Sequence, residues 1–365
     1  MRIALLTSAK GWRGSGVSYA KLAHGLGERG HLAHLIAVAP ALTARFIAER
    51  LPVTEIPGRN TGPREAWALW RTLRRLAAEV VVVDTPRDLR LSALATLFHQ
   101  AKIVYRYNLN YRRARDHLGD RLYSRRVAAC VFQSLFIETA AVRQESWVGR
   151  VPGYRVANGY DTTRFAPQPA AAEAFRHKWR IPGHALVVLT SAKLERDKGH
   201  DVAIAALDRV HRQGTELIYV VCGNGARQEE LRARATNCRL PVRFTGLLDT
   251  DELVGALTAA DLVVHPSLQE IFPNAVGEAM ACARAVIAAD AGGTGELLGR
   301  DGSAGVLVPA NDPLALATEV AALLRNPAGR ARLGAAARCR IETEFSVSRM
   351  IDGYEMALER VIAAR

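Results

Sequence analysis

Residues 260–288 read strand, loop, helix, strand. An apolar run ends at Val264-His265-Pro266, a polar loop follows, a helical stretch carries Val276 to Ala281, and a second apolar run ends at Ala288. Strands joined through a helix imply a parallel sheet with a right-handed crossover. Two carboxylates mark the loop and helix of this unit. Glu270 precedes the helix and Glu278 sits within it. Between them the backbone amides of Phe272, Asn274 and Ala275 form a helix N-terminus suited to an anion. A polyol joined to phosphate is the ligand this chemistry suggests.

The same alternation runs through the whole chain. Apolar runs at Ile3–Thr7, Ala33–Val38, Val80–Asp84, Ile103–Tyr107 and Ala128–Phe132 predict strands in the first half. Helical patterns at Ser18–Arg29, Arg64–Ala78, Leu89–His99 and Ser134–Arg143 lie between them. The second half repeats the scheme with strands at Ala185–Thr190, Leu217–Cys222, Val242–Thr245, Leu262–His265, Ala285–Ala288 and Gly305–Val308. Strands alternating with helices predict an α/β protein with doubly wound parallel sheets. At 365 residues two domains are expected. The boundaries read 1–163, 164–344 and a helical tail 345–365 that packs back across the other half. The seam is Thr163–Gly183, with Pro167, Pro169, an alanine run and Pro182. The opening Met1–Thr7 reads as a buried strand rather than a signal peptide. No apolar run is long enough for a transmembrane helix. The five cysteines are scattered without CxxC spacing, which fits a reducing cytoplasm and neither a disulfide framework nor a zinc site.

Open α/β sheets bind ligands beyond the carboxyl ends of their strands, so the loops there matter most. After Thr190 come Lys193 and Lys198, bracketing a turn that opens a helix near Gly199. Two ammonium groups beside a helix N-terminus would neutralise a diphosphate and stabilise it as a leaving group, unless Lys198 is simply a surface residue of the turn. Glu195 and Asp197 read as local partners or caps. Gly223, in Cys222-Gly-Asn-Gly, permits close approach of a ligand, although the same residues suit an ordinary turn. A flat base would lie against the backbone near Leu247. Asp249-Thr-Asp251 could be a metal pair, but it stands directly before a helix and reads better as a cap. In the first half, Gly14-Ser-Gly16 lacks the third glycine of a nicotinamide-binding fingerprint, and no ribose-binding acid follows the second strand.

Charge is unevenly spread. Residues 1–165 hold 26 Lys and Arg against 12 Asp and Glu, while the remainder is almost balanced. This basic half suits an anionic partner, either a phosphorylated acceptor or an acidic membrane surface, unless it is simply a solvated basic face. The helix after Pro63 carries Trp67, Trp70 and Arg64, Arg71, Arg74, Arg75. It reads either as a membrane-contacting face or as buried tryptophans with solvated arginines. Arg112, Arg113 and Arg115 follow the strand ending at Tyr107 and are the better candidates for acceptor binding. No nucleic-acid signature is present.

Taken together, Ala157-Asn-Gly-Tyr-Asp161, Lys193 with Lys198-Gly-His200, Phe244-Thr-Gly246, Pro266-Ser267, Glu270 with Glu278-Ala-Met-Ala281, Gly292-Gly-Thr294 with Glu296, and Val308-Pro309 with Asp312-Pro313 resemble the retaining GT-B glycosyltransferases of glycosyltransferase family 4. The resemblance is strong from Val156 to Ala364 and looser before it. It implies two Rossmann-like domains facing a cleft, and transfer of a sugar from a nucleotide diphosphate donor, a UDP-sugar first and GDP-mannose next. The anomeric configuration would be retained and no metal or other cofactor used. Glu278 would hold the ribose, Glu270 and the amides after it the sugar hydroxyls, and Lys193 and Lys198 the diphosphate, helped by the amide of Gly16. The acceptor would be a cell-envelope glycan or lipid-linked saccharide such as lipopolysaccharide core. The enzyme would be cytoplasmic or peripheral on the inner face of the plasma membrane.

Three positions depart from the family pattern. Lys193 stands where arginine is common, Ile271 where glycine is common, and Arg106-Tyr-Asn108 replaces a Thr-x-His, so Asn108 would hydrogen-bond a hydroxyl without donating as a cation. Two rivals stay open. One is a nucleotide-sugar epimerase on the same fold, and the other a non-catalytic module binding anionic lipid or polymer.

Overall fold

The computed structural model describes residues 1–9, 15–58, 61–107, 117–238 and 240–364. They form two compact units, Met1–Gly159 with Val347–Arg365, and Tyr160–Ser346.

In the first unit the strands are β1 (Arg2–Thr7), β2 (Leu32–Ala37), β3 (Val53–Glu55), β4 (Val80–Val83), β5 (Lys102–Arg106), β6 (Val127–Phe132) and β7 (Gly153–Arg155). They pair in parallel in the order β3-β2-β1-β4-β5-β6-β7. The second unit has β8 (Leu186–Ser191), β9 (Leu217–Cys222), β10 (Val242–Gly246), β11 (Leu262–His265), β12 (Val286–Ala289) and β13 (Val306–Val308). Their order is β10-β9-β8-β11-β12-β13, again parallel. The central strands are uninterrupted apolar runs because helices cover both sheet faces; Val80 to Val83, for example, are fully buried. In each sheet the strand order reverses once, between β1 and β4 and between β8 and β11. Loops leaving those neighbours diverge and open a crevice at the carboxyl edge.

The final helix, Val347–Ala363, belongs to the first unit although the second unit separates it in sequence. Met350, Ile351, Tyr354, Leu358 and Val361 join the core around Leu22, Leu26 and Val104. At its end Lys102 Nζ donates to the carbonyls of Val361 and Ala364.

Several local expectations change. Residues 163–183, read as a seam, contain the helix Pro169–Lys178. Proline at its first turn fixes φ without losing a helical hydrogen bond, and the alanines that follow are strong helix formers. The strands β3 and β7 are three residues each and half-exposed, too short to show a period of two. The helix after Pro63 ends at Arg75, and Trp67 on it is 56% exposed rather than buried.

Candidate functional site

The crevice of the second unit is built from loops after β8, β9, β10, β11 and β12. After β8 the chain makes one turn of 3-10 helix, Arg196–Lys198, then Gly199 in the left-handed region at φ 65° caps the helix His200–Arg212. A Cβ on Gly199 would stand 2.0 Å from the carbonyl oxygen of Pro266. Only glycine lets the β8 and β11 loops touch there. Their backbones are then laced together. Leu268 N donates to Asp197 O at 2.7 Å, and Ser267 Oγ donates to the same oxygen at 3.1 Å.

This lacing brings Lys198 to Glu270. Lys198 Nζ donates to Glu270 Oε1 at 2.9 Å, and His265 Nε2 donates to the same oxygen at 3.0 Å. Asp197 Oδ2 lies 3.3 Å from the same ammonium. Glu270 is mostly buried, and burial alone would raise its pKa. The hydrogen bond from His265 and the charge of Lys198 prevail and bring it down to about 2. Lys198 is likewise penalised by burial, but Glu270 and Asp197 hold its pKa above the ordinary lysine value. The pair therefore stays ionised near neutrality, a fixed carboxylate and a fixed cation at one point of the crevice. Gly292, at φ 57°, backs the same residue, because a Cβ there would stand 1.7 Å from the carbonyl oxygen of Glu270.

Lys193 is more exposed and pairs with Glu195 at 3.5 Å. It lines a cavity of about 170 Å³ together with Ser191, Gly223, Asn224, Leu247 and Leu253. Three residues expected around a nucleotide, Lys193, Gly223 and Leu247, thus share one wall. Leu247 is 63% exposed, an apolar surface open at the rim. Beneath Lys193, the buried His200 donates Nε2–H to its carbonyl at 2.9 Å, and burial pushes the His200 pKa down, so the ring acts as a neutral brace.

The helix Asn274–Ala281 starts at Pro273 with no side-chain cap. Glu278 lies half-buried on it, Asn274 is exposed, and Ala275 is intermediate. Phe272 is buried against Phe345, with ring centroids 5.8 Å apart. Tyr160 packs on this helix at Gly277. Burial and the nearby charges of Glu278 and Glu270 raise its phenol pKa well above the ordinary value. Asp249 caps the helix Thr250–Ala259 in a reciprocal capping box with Glu252, so its carboxylate serves the backbone. Among the described residues no cluster of three His, Cys, Asp or Glu side chains could hold a metal ion.

Gly16 lies in the first unit, buried in the first turn of the helix Ser15–Glu28. Asn108, Arg112, Arg113 and Arg115 lie outside the described residues. His265 and His200 have no role in the sequence reading, although both belong to quoted motifs. The one available signal was position, since His265 ends a central strand five residues before Glu270.

Residues 171–340 match the family model of glycosyl transferases group 1. A GDP-mannose-dependent monoacylated alpha-(1-6)-phosphatidylinositol monomannoside mannosyltransferase of Corynebacterium glutamicum is 29% identical over 238 residues, 62% of either chain. The chain spans between 44% and 62% of the first curated relatives it matches. In fold it is similar to a glycosyltransferase from Rickettsia africae, with a TM-score of 0.88 at 18% identity, over 100% of this chain and 99% of that one. It is also similar to the Anabaena protein HepE in complex with UDP and glucose, with a TM-score of 0.84 at 20% identity, over 98% and 99% of the two chains. The two doubly wound parallel sheets, with the final helix returned to the first unit, are those of the GT-B fold.

Proposed function

We propose that this chain, whose residues 171–340 match the family model of glycosyl transferases group 1, transfers a sugar from a nucleotide diphosphate donor with retention of configuration. The observation that carries the reading is the joining of Lys198, Glu270 and His265 at one edge of the β8–β11 crevice, beside the cavity walled by Lys193, Gly223 and Leu247. Each part answers one demand of the chemistry. A departing diphosphate needs cations, which Lys198 and Lys193 supply. Sugar hydroxyls need an ionised acceptor, which Glu270 remains well below neutral pH. The base needs a flat apolar rest, which Leu247 offers at the cavity rim, and the ribose needs a second carboxylate, which Glu278 provides.

In this scheme the acceptor hydroxyl attacks the anomeric carbon on the face that the diphosphate leaves, and a leaving phosphate oxygen takes its proton. No step calls for a metal ion. The donor is a UDP-sugar before GDP-mannose, and the acceptor is a cell-envelope glycan or lipid-linked saccharide such as lipopolysaccharide core. It would be met by the basic first unit, at the inner face of the plasma membrane.

A thermal-shift panel of nucleotides and nucleotide sugars, with and without chelator, tests the reading. A donor should raise the melting temperature by mass action, and chelator should leave that rise intact. A panel without any shift, or an absolute metal requirement for transfer, would overturn it. Incubating the donor in deuterated water separates transfer from epimerisation, since an epimerase would incorporate deuterium at carbon.

A further inference from the structure

At the amino-terminal ends of the strands in the first unit lie two adjoining grooves of about 550 and 770 Å³, which share Phe98 and Lys102. Their charged lining is Arg2, Arg74, Lys102, Arg125, Arg126 and Arg360, against the carboxylate of Glu79 alone. Arg2 is taken up by Glu79 and Ala77, and Lys102 by the carbonyls that end the last helix. Arg126 donates to Thr96 O. That leaves Arg74, Arg125 and Arg360 as exposed cations on the rim.

Large apolar side chains stand exposed here. Phe98, 85% exposed, and Leu97, 43% exposed, line the grooves, and Trp67, 56% exposed, stands one turn before Trp70 on the helix that reaches the first groove. They are held in position rather than loose. Trp70 Nε1 donates to Phe98 O at 3.1 Å, joining the helix Pro63–Arg75 to the segment before β5. Arg74 stacks on Trp70 and Arg71 on Trp67, each with the guanidinium carbon 5.5 Å from the ring centroid. A soluble anion would ask only for the cations, and an apolar protein partner only for the rings. An acidic bilayer asks for both, with aromatic groups at headgroup depth and arginines among the phosphates.

We propose that this amino-terminal edge of the first unit, centred on Phe98 and Arg125 and extended by Trp67 on the adjoining helix, docks on the surface of an anionic phospholipid bilayer. The proposal deepens the membrane-proximal reading above by naming the surface. It leaves the carboxyl edge of the same sheet clear of the lipid contact.

Co-sedimentation of the full chain with vesicles tests it. Vesicles of equimolar phosphatidylglycerol and phosphatidylcholine should carry the protein down, vesicles of phosphatidylcholine alone should not, and added salt should release it. Phe98→Glu and Trp67→Glu should each lower partitioning roughly tenfold or more, and Arg125→Ser about fivefold per lost charge. Leu314→Glu, at a side chain 56% exposed in the second unit, should sediment as the parent does. Failure to sediment with anionic vesicles, or unchanged binding by Phe98→Glu and Trp67→Glu, would sink the proposal. Release by inorganic phosphate at matched ionic strength would do the same and reveal a soluble-anion site. The nucleotide-sugar thermal shift, measured on the same variants, separates the two readings. Lost vesicle binding with the shift retained confines the defect to this edge, and the reverse outcome removes the transferase reading alone.

Discussion

Glu270 concentrates three constraints in one side chain. It is mostly buried, it accepts from Lys198 and His265, and its backbone carbonyl fills the space a side chain at Gly292 would need. Its folded pKa of about 2 lies below the ordinary 4.5, so the stabilisation it brings is present above 4.5 and is lost as pH falls toward 2. The difference corresponds to about 3 kcal/mol at neutral pH. Glu270→Gln should therefore be destabilised by roughly that amount in urea unfolding at pH 7, and the gap to the parent should shrink to about 1 kcal/mol by pH 3. A gap that stays constant across that range would mean the cluster does not hold Glu270 ionised. Gly292→Ala should cost more than the roughly 1–2 kcal/mol of a left-handed alanine, because the added carbon also meets backbone. It should weaken nucleotide-sugar binding as well, read by the same thermal shift. Lys198 and Glu270 were each legible as candidates because both stand in loops after strand ends, but their pairing was not, since it depends on how two loops distant in sequence meet. His265 was not, since a lone histidine at a strand end looks the same whether it braces a carboxylate or only fills space.

Elements are legible when their pattern is long enough to have a period. The buried strands β1, β4, β8 and β9 are apolar runs of four to six residues and fall within a residue or two of their expected bounds. The helix Pro169–Lys178 was obscured by prolines, which signal a linker as readily as a helix start. Its neighbour Thr250–Ala259 shows how a cap decides a boundary. The sequence placed that start near Glu252, whereas Asp249 and Glu252 satisfy each other's backbone amides and begin the helix at Thr250. Asp249→Ala should then lower stability by about 1 kcal/mol, within the usual 0.5–2 for a lost cap, measured by urea unfolding. Nucleotide binding should be unaffected by that change, and chelation should not mimic it. A loss of binding alone would return these carboxylates to a ligand role.

At the scale of the molecule, the helical tail was readable as a helix, but no local pattern states which core it completes. That depends on long-range packing: Ile351 lies against Gly25, Arg29 bonds to Asp352 and Glu355, and His31 Nε2 lies 2.7 Å from Glu355 Oε1. Five large side chains of this helix are at most 4% exposed in the core of the first unit. At about 1.5–3 kcal/mol for each buried side chain, their loss is comparable to the 5–15 kcal/mol that typically holds a domain folded. The core around Val188 and Leu262 in the second unit includes no side chain of the final helix. Ending the chain at Ser346 should therefore unfold residues 1–159 and spare residues 160–346. Limited trypsin digestion would read this directly, because the arginine-rich first half would be cut throughout while the second persists as a protected fragment. Protection of the first half equal to that of the full chain would show that the tail only decorates a core already complete. Digestion of both halves together would show that the second unit also depends on the helix, through a coupling its own buried residues do not require.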